Sequence, residues 1–106
     1  MYSMIYATAG SEEDAVKLAR HLLRKRLVAC ANIFPVRSVY RWRGKVKEEG
    51  EFVLVMKTRS DRVRGAIKEA AKIHPYEVPC LVSYEMGEAL SSYLRWIDGE
   101  TRGRGR

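Results

Sequence analysis

The sequence predicts an α+β fold of the ferredoxin-like βαββαβ type, with a long hairpin between the second and third strands and a C-terminal helix. Three observations predict it. Two segments carry apolar residues at helical spacing, and each stands between strand-like runs. Residues 36 to 56 read as two arms of one hairpin. The resulting order lets both crossovers be right-handed and lays both helices on one sheet face.

The first strand is the apolar run Met4 to Thr8, broken by Gly10. Ser11 then caps a helix whose acidic first turn, Glu12, Glu13 and Asp14, complements the helix dipole. Ala15, Leu18, Ala19, Leu22 and Leu23 form its apolar stripe, and Arg24, Lys25 and Arg26 favour its C-terminus, so the helix is predicted over 12–26. Leu27 to Phe34 is almost continuously apolar, as in a strand covered on both faces. Pro35 favours an edge strand or a bulge. Val36, Ser38, Tyr40 and Trp42 then alternate with Arg37, Val39, Arg41 and Arg43 at a period of two. Gly44-Lys45 marks a turn, polar residues 45–51 follow, and Phe52 to Lys57 returns to apolar strand. Ser60 is expected to cap the second helix, with Val63, Ile67, Ala70 and Ala71 buried and Pro75 ending it. Pro79 to Glu85 is the fourth strand, and Tyr93, Leu94, Trp96 and Ile97 belong to a short closing helix or turn.

The hairpin is too long for its domain. An arm of nine or ten residues spans roughly 30 Å, whereas a compact domain of this length has a radius of gyration near about 13 Å. Its tip, with Tyr40 and Trp42, is expected to overhang the core, and an isolated two-stranded ribbon is marginal in water. Strands two and four are expected at opposite sheet edges, which invite pairing with another chain, and a head-to-tail contact that closes makes a ring.

The 106 residues, 46% hydrophobic and 31% charged, describe one globular domain. No apolar run approaches the roughly 20 residues that cross a bilayer, and Met1 to Tyr6 does not read as an export signal. Two cysteines, Cys30 and Cys80, suit free thiols in a reducing cytosol, so a cytoplasmic location is expected. Of the formal charge of +7, three units lie in Thr101 to Arg106, leaving +4 on the rest. The expected organisation is a folded domain over residues 1–98 and a basic tail over 99–106. A frayed terminus explains that tail better than phosphate contact does, and nucleic acid is not the expected partner.

The densest chemistry is His74-Pro75-Tyr76-Glu77-Val78-Pro79-Cys80: an imidazole, a phenol, a carboxylate and a thiol held between two prolines that restrict the backbone. Thiolate and imidazole suit copper or zinc, which makes Cys30 and His74 the first candidates for a metal, with Glu77 and Cys80 beside them. One chain shows no CxxC, HExxH or Cys/His cluster. In a ring, however, Cys30 of one copy would approach His74, Glu77 or Cys80 of the next. The alternatives are a buried apolar role for Cys30, a helix-ending role for His74 and solvated surface for Glu77 and Glu51. Tyr40 and Trp42 suit interface packing, and Tyr76 suits the wall of an inter-subunit cleft. With no nucleophile–base pair and no phosphate loop, an enzyme is not expected.

The segments Leu27-Val28-Ala29-Cys30-Ala31-Asn32, Tyr40-Arg41-Trp42-Arg43-Gly44-Lys45, Lys57-Thr58, His74-Pro75-Tyr76-Glu77-Val78-Pro79 and Tyr93-Leu94-Arg95-Trp96-Ile97 together resemble the CutA family of divalent-cation tolerance proteins, in family order from about residue 2 to residue 98. The resemblance implies a ferredoxin-like homotrimer, a cytoplasmic location, and binding of copper or another divalent metal. It also implies an architecture like that of the trimeric nitrogen-regulatory signalling proteins. A metal-binding trimer acting in metal tolerance is therefore the leading expectation. A trimeric sensor that takes a small molecule in the inter-subunit cleft is the alternative.

Overall fold

A computed structural model describes residues 1–102. The elements are β1 (Tyr2–Ala9), α1 (Glu12–Arg24), β2 (Cys30–Trp42), β3 (Lys45–Arg59), a 3-10 turn (Ser60–Arg62), α2 (Val63–Ile73), β4 (Leu81–Glu85) and α3 (Ser91–Glu100). The four antiparallel strands lie in the order β2-β3-β1-β4, the ferredoxin-like sheet expected from the sequence, with β2 and β4 at its edges.

One sheet face carries the core. Ile5, Ala7 and Ala9 of β1 and Leu54 and Met56 of β3 meet Ala15, Leu18, Ala19 and Leu22 of α1 and Ala66 and Ala70 of α2, all buried. Alanine at four of these helical positions lets α1 and α2 sit close to the sheet. Ser11 caps α1, its hydroxyl accepting from the Asp14 backbone N–H at 3.1 Å. The helix stops at Arg24, two residues before the predicted end. Arg26 adopts a left-handed φ of 58°, and the Leu27 N–H turns back to the Leu22 carbonyl.

Four details differ from expectation, each for a packing reason. Leu27, Val28 and Ala29 are buried but precede β2: they are the exit from α1, held by the Thr58 hydroxyl donating to the Leu27 carbonyl at 2.7 Å. Ser60 does not cap α2, because its hydroxyl pairs with that of Ser3 across 2.7 Å and a 3-10 turn opens the helix instead. The α2 stripe rotates so that Ala66 is buried while Ala71 is exposed, and Leu23 of α1 is likewise exposed. The folded part passes residue 98: α3 runs to Glu100, and Thr101 is fully buried, bonded to Arg59 through its hydroxyl at 3.0 Å and its carbonyl at 2.9 Å. The rest of the predicted tail, 103–106, lies outside the described residues.

The overhanging hairpin is as predicted. β2 and β3 pair from Cys30↔Lys57 to Trp42↔Lys45, but β1 reaches only as far as Phe52, so the ribbon beyond has no third strand. It stretches the molecule to 44 Å along its longest axis. Pro35 lies within β2 opposite Phe52 without a bulge, tolerated because β2 is an edge. The turn is Arg43-Gly44, with φ of 51° and 79°; two successive positive values match the twist of the flanking strands.

The second sheet face is only partly covered. α3 crosses one end of it: Ile97 is buried, the Tyr2 hydroxyl donates to Asp98 at 2.9 Å, and Tyr93 meets the Cys30 thiol at 3.6 Å. Beyond α3 the face is open and apolar. Phe34, Val82 and Tyr84 are 43%, 39% and 59% exposed on it.

Candidate functional site

The hairpin base and the His74–Cys80 connector enclose a groove of about 520 Å³. Its position follows from local rules. Pro75 ends α2 and places His74 in extended backbone, φ −72° and ψ 132°, so its side chain turns back under the sheet. There the imidazole is buried. Its Nε2–H donates to the Thr8 carbonyl at 2.7 Å, and its Nδ1 accepts the Tyr76 backbone N–H at 3.1 Å. A carbonyl on one nitrogen and an N–H on the other fix the tautomer. The ring lies 4.8 Å from that of Tyr76.

Tyr76 carries the next link. Its hydroxyl donates to Glu51 Oε2 at 2.7 Å, and Glu51 is a buried carboxylate on β3. Burial comes first and the Glu51 hydrogen bond second in pushing the Tyr76 phenol far above its usual range. On the ribbon, the Tyr40 hydroxyl donates to Glu49, which raises that phenol to about 12. Gly10 closes the back of the chain of contacts: a Cβ there would lie 3.2 Å from the Tyr76 hydroxyl. At the mouth, Arg43 binds Glu77 at 2.7 Å and lies 5.2 Å over the Trp42 ring.

The four predicted metal residues therefore part company. Glu77 and Cys80 both line the groove, together with Glu49 and Glu51. Burial and then Glu51 raise the Cys80 thiol above its usual range. His74 stands behind the groove with both nitrogens engaged inside the protomer, so it holds the loop and offers neither nitrogen for a metal as it stands. Cys30 is half-buried beside Tyr93, four residues along β2 from the Phe34–Val53–Thr8 row that the groove adjoins, about 13 Å away. Among the described residues no three of His, Cys, Asp or Glu gather closely enough to hold an ion. The Tyr76–Glu51 and Tyr40–Glu49 pairs were not read from the sequence as partners. The period of two does put Ser38, Tyr40, Glu49 and Glu51 on one ribbon face, and that was the available signal.

These phenols make a pH prediction. A phenol whose folded-state pKa lies above its ordinary value of 10.0 keeps its proton when the unfolded chain loses it. Its stabilisation is complete below pH 10 and declines as pH rises beyond that. Urea midpoints measured from pH 9 upward should fall above pH 10, and Tyr76→Phe should flatten that fall; an equal slope in the variant would remove Tyr76 as its source.

Comparison with known proteins agrees with this architecture. The family described as CutA1 divalent ion tolerance protein matches residues 3–100. The chain is 40% identical over 98 residues to the divalent-cation tolerance protein CutA of Archaeoglobus fulgidus, covering 92% of this chain and 96% of that protein. It is 35% identical over 94 residues to that of Thermotoga maritima, covering 89% and 93%. The solved structure of the A. fulgidus protein, described as periplasmic, superposes with a TM-score of 0.94 at 38% identity over 96% of this chain and all of that one. CutA1 from Pyrococcus horikoshii gives a TM-score of 0.91 at 33% identity, over 94% and 98%. No helix among the described residues is long and apolar enough to cross a membrane. Sheet order, helix placement, the long ribbon and a match over nearly the whole length agree, and the chain belongs to the CutA1 divalent ion tolerance protein family.

Proposed function

We propose that this protein binds copper or another divalent metal ion as a homotrimer and acts in divalent-cation tolerance in the cytoplasm, without catalytic turnover. One observation carries the reading: three carboxylates, Glu49, Glu51 and Glu77, and the thiol of Cys80 line a single groove at the edge of a sheet face left open. Thiolate with carboxylate suits copper or zinc. Because β2 and β4 are opposite edges, head-to-tail closure of three copies brings the β2 edge of one, with Cys30, to the β4 edge of the next, where Cys80 stands just before the strand. In that arrangement Cys80 and Glu77 from one copy and Cys30 from its neighbour supply the ligands, and His74 positions the loop that presents them.

Copper or zinc titrated into the untagged protein should bind, and Glu77→Gln with Cys80→Ala should weaken it by about tenfold or more, the loss of about 1.4 kcal/mol. Cys30→Ala should weaken it as well if the ligand set spans two copies. Unchanged affinity in all of them would count against the site. Assembly has its own check. Trp42 on the overhanging ribbon is expected to pack against a neighbour, so Trp42→Ala should loosen the trimer more than Trp96→Ala, whose ring already stacks on Tyr93 at 5.7 Å. Sedimentation showing an intact trimer for Trp42→Ala would contradict that placement.

The second reading is a trimeric sensor for a small molecule in the same cleft. The groove favours it in one respect: Tyr40, Trp42, Tyr76 and Val78 give it an apolar lining of ligand-binding size. A metabolite that raises the melting temperature where copper does not would decide for the sensor.

A further inference from the structure

On the other side of the His74-Pro75 segment, α1 and the end of α2 enclose a second cleft, of about 490 Å³. It opens on the helical face, away from the open sheet face and its groove. Leu18, Ile73 and Pro75 supply apolar surface, and Lys17, Arg20 and Arg24 line it with positive charge. These three cations stand on one face of α1 at spacings of three and four residues. None has an ion-pair partner among the described residues. The carboxylate that bridges the two helices, Glu69, is already committed to His21 at 2.8 Å and to Lys25 and Lys72 at 3.5 Å each. That triple engagement holds its carboxyl below the usual range, with the His21 hydrogen bond as the chief cause. Asp14 is the one carboxylate in the lining, so cations remain in excess.

Like charges three and four apart destabilise a helix. Among the described residues Lys25, Arg26, Arg37, Arg43, Arg59 and Lys72 stand within ion-pair distance of a carboxylate; Lys17, Arg20 and Arg24 instead converge on a concavity of the size that holds small ligands. We propose that the α1–α2 cleft binds a small phosphate-bearing anion, with Arg20 and Arg24 making charge-assisted hydrogen bonds to its oxygens and Lys17 neutralising it further. The concave shape and the apolar surface of Leu18, Ile73 and Pro75 favour a small molecule over a nucleic-acid backbone, which would follow an extended basic stripe.

The test is calorimetric titration of the whole chain with inorganic pyrophosphate, beside citrate as a polyanion lacking phosphorus and a short RNA duplex. Pyrophosphate should saturate at one per chain. Arg20→Gln/Arg24→Gln should weaken it at least about tenfold, the loss of one charge-assisted hydrogen bond. Glutamine keeps the helix propensity, so that variant should fold with unchanged helical circular dichroism. Arg64→Gln/Lys68→Gln removes the same charge from exposed α2 positions outside the cleft and should leave affinity within about twofold, since only distant, screened charge is lost. Equal weakening in the two double variants would reduce the effect to diffuse charge and overturn the site. Absence of saturation would do the same. Citrate binding as tightly would overturn the phosphate class, and RNA binding in preference to pyrophosphate would overturn the small-molecule assignment. None of these outcomes touches the metal reading, because the groove residues are unaltered.

Discussion

His74→Ala is expected to lower stability by about 2–5 kcal/mol. Three losses combine. The Thr8 carbonyl, 2.7 Å from Nε2, loses its donor from the side chain, and the Tyr76 N–H, 3.1 Å from Nδ1, loses its acceptor. A ring-sized void opens beside Tyr76, whose own ring lies 4.8 Å away. The consequence for the groove is larger than the void. Tyr76 is placed by the His74 contact and in turn supplies the hydrogen of buried Glu51, so releasing it leaves a carboxylate without its donor. Denaturant unfolding measures the first effect. A loss below about 1 kcal/mol, the ordinary size for a point change, would show that the imidazole does not brace the loop. Double-mutant analysis with Tyr76→Phe measures the second, and the two losses should fail to add.

Phe34→Asp is expected to convert the proposed homotrimer to single copies. Phe34 and Val82 are each more than a third exposed on the open sheet face, in register with the buried Val53 and the half-buried Tyr6. Burying a phenylalanine against a neighbour contributes about 1.5–3 kcal/mol. Replacing it by a carboxylate forfeits that and adds the desolvation of a charge at every copy of the interface, so assembly should weaken by orders of magnitude. The protomer itself should survive, because the core lies on the opposite face between Leu54, Met56 and the two helices. Sedimentation velocity together with circular dichroism separates these outcomes. A variant that stays assembled would show that the open face is not where copies meet, and the inter-subunit ligand set would fall with it. A Phe34→Asp protein that loses both assembly and fold would show instead that the protomer depends on its neighbours.

Much of the fold was legible because period and punctuation are local signals. The alternation from Val36 to Trp42 gave a ribbon face, the Ser11 cap and acidic turn gave the start of α1, and Pro75 gave the end of α2. What failed locally failed for tertiary reasons. Ser60 has the chemistry of a cap, but the Ser3 hydroxyl of β1, far away in sequence, takes it. Thr101 follows what reads as the end of the domain, yet Arg59 of β3 draws it into the interior. The site was half legible. The density of chemistry from His74 to Cys80 located the loop, and of its three metal candidates Glu77 and Cys80 line the groove while His74 stands behind it. The inward turn of His74 was not readable, because its acceptor, the Thr8 carbonyl, is a backbone group and leaves no mark on residue identity.

By itself the sequence determined the layer architecture, the overhanging ribbon and the family, since spacing, glycine and proline positions and a full-length pattern act within each segment or over the whole chain. Only the tertiary structure decided which polar groups are consumed and which remain available. His74 and Tyr76 are spent on Thr8 and Glu51, whereas Lys17, Arg20 and Arg24 have no carboxylate partner among the described residues. The physical reason is that hydrogen bonds and ion pairs act over a few ångströms in space. Sequence separation says nothing of that distance until the sheet brings β1, β3 and the α2–β4 connector together.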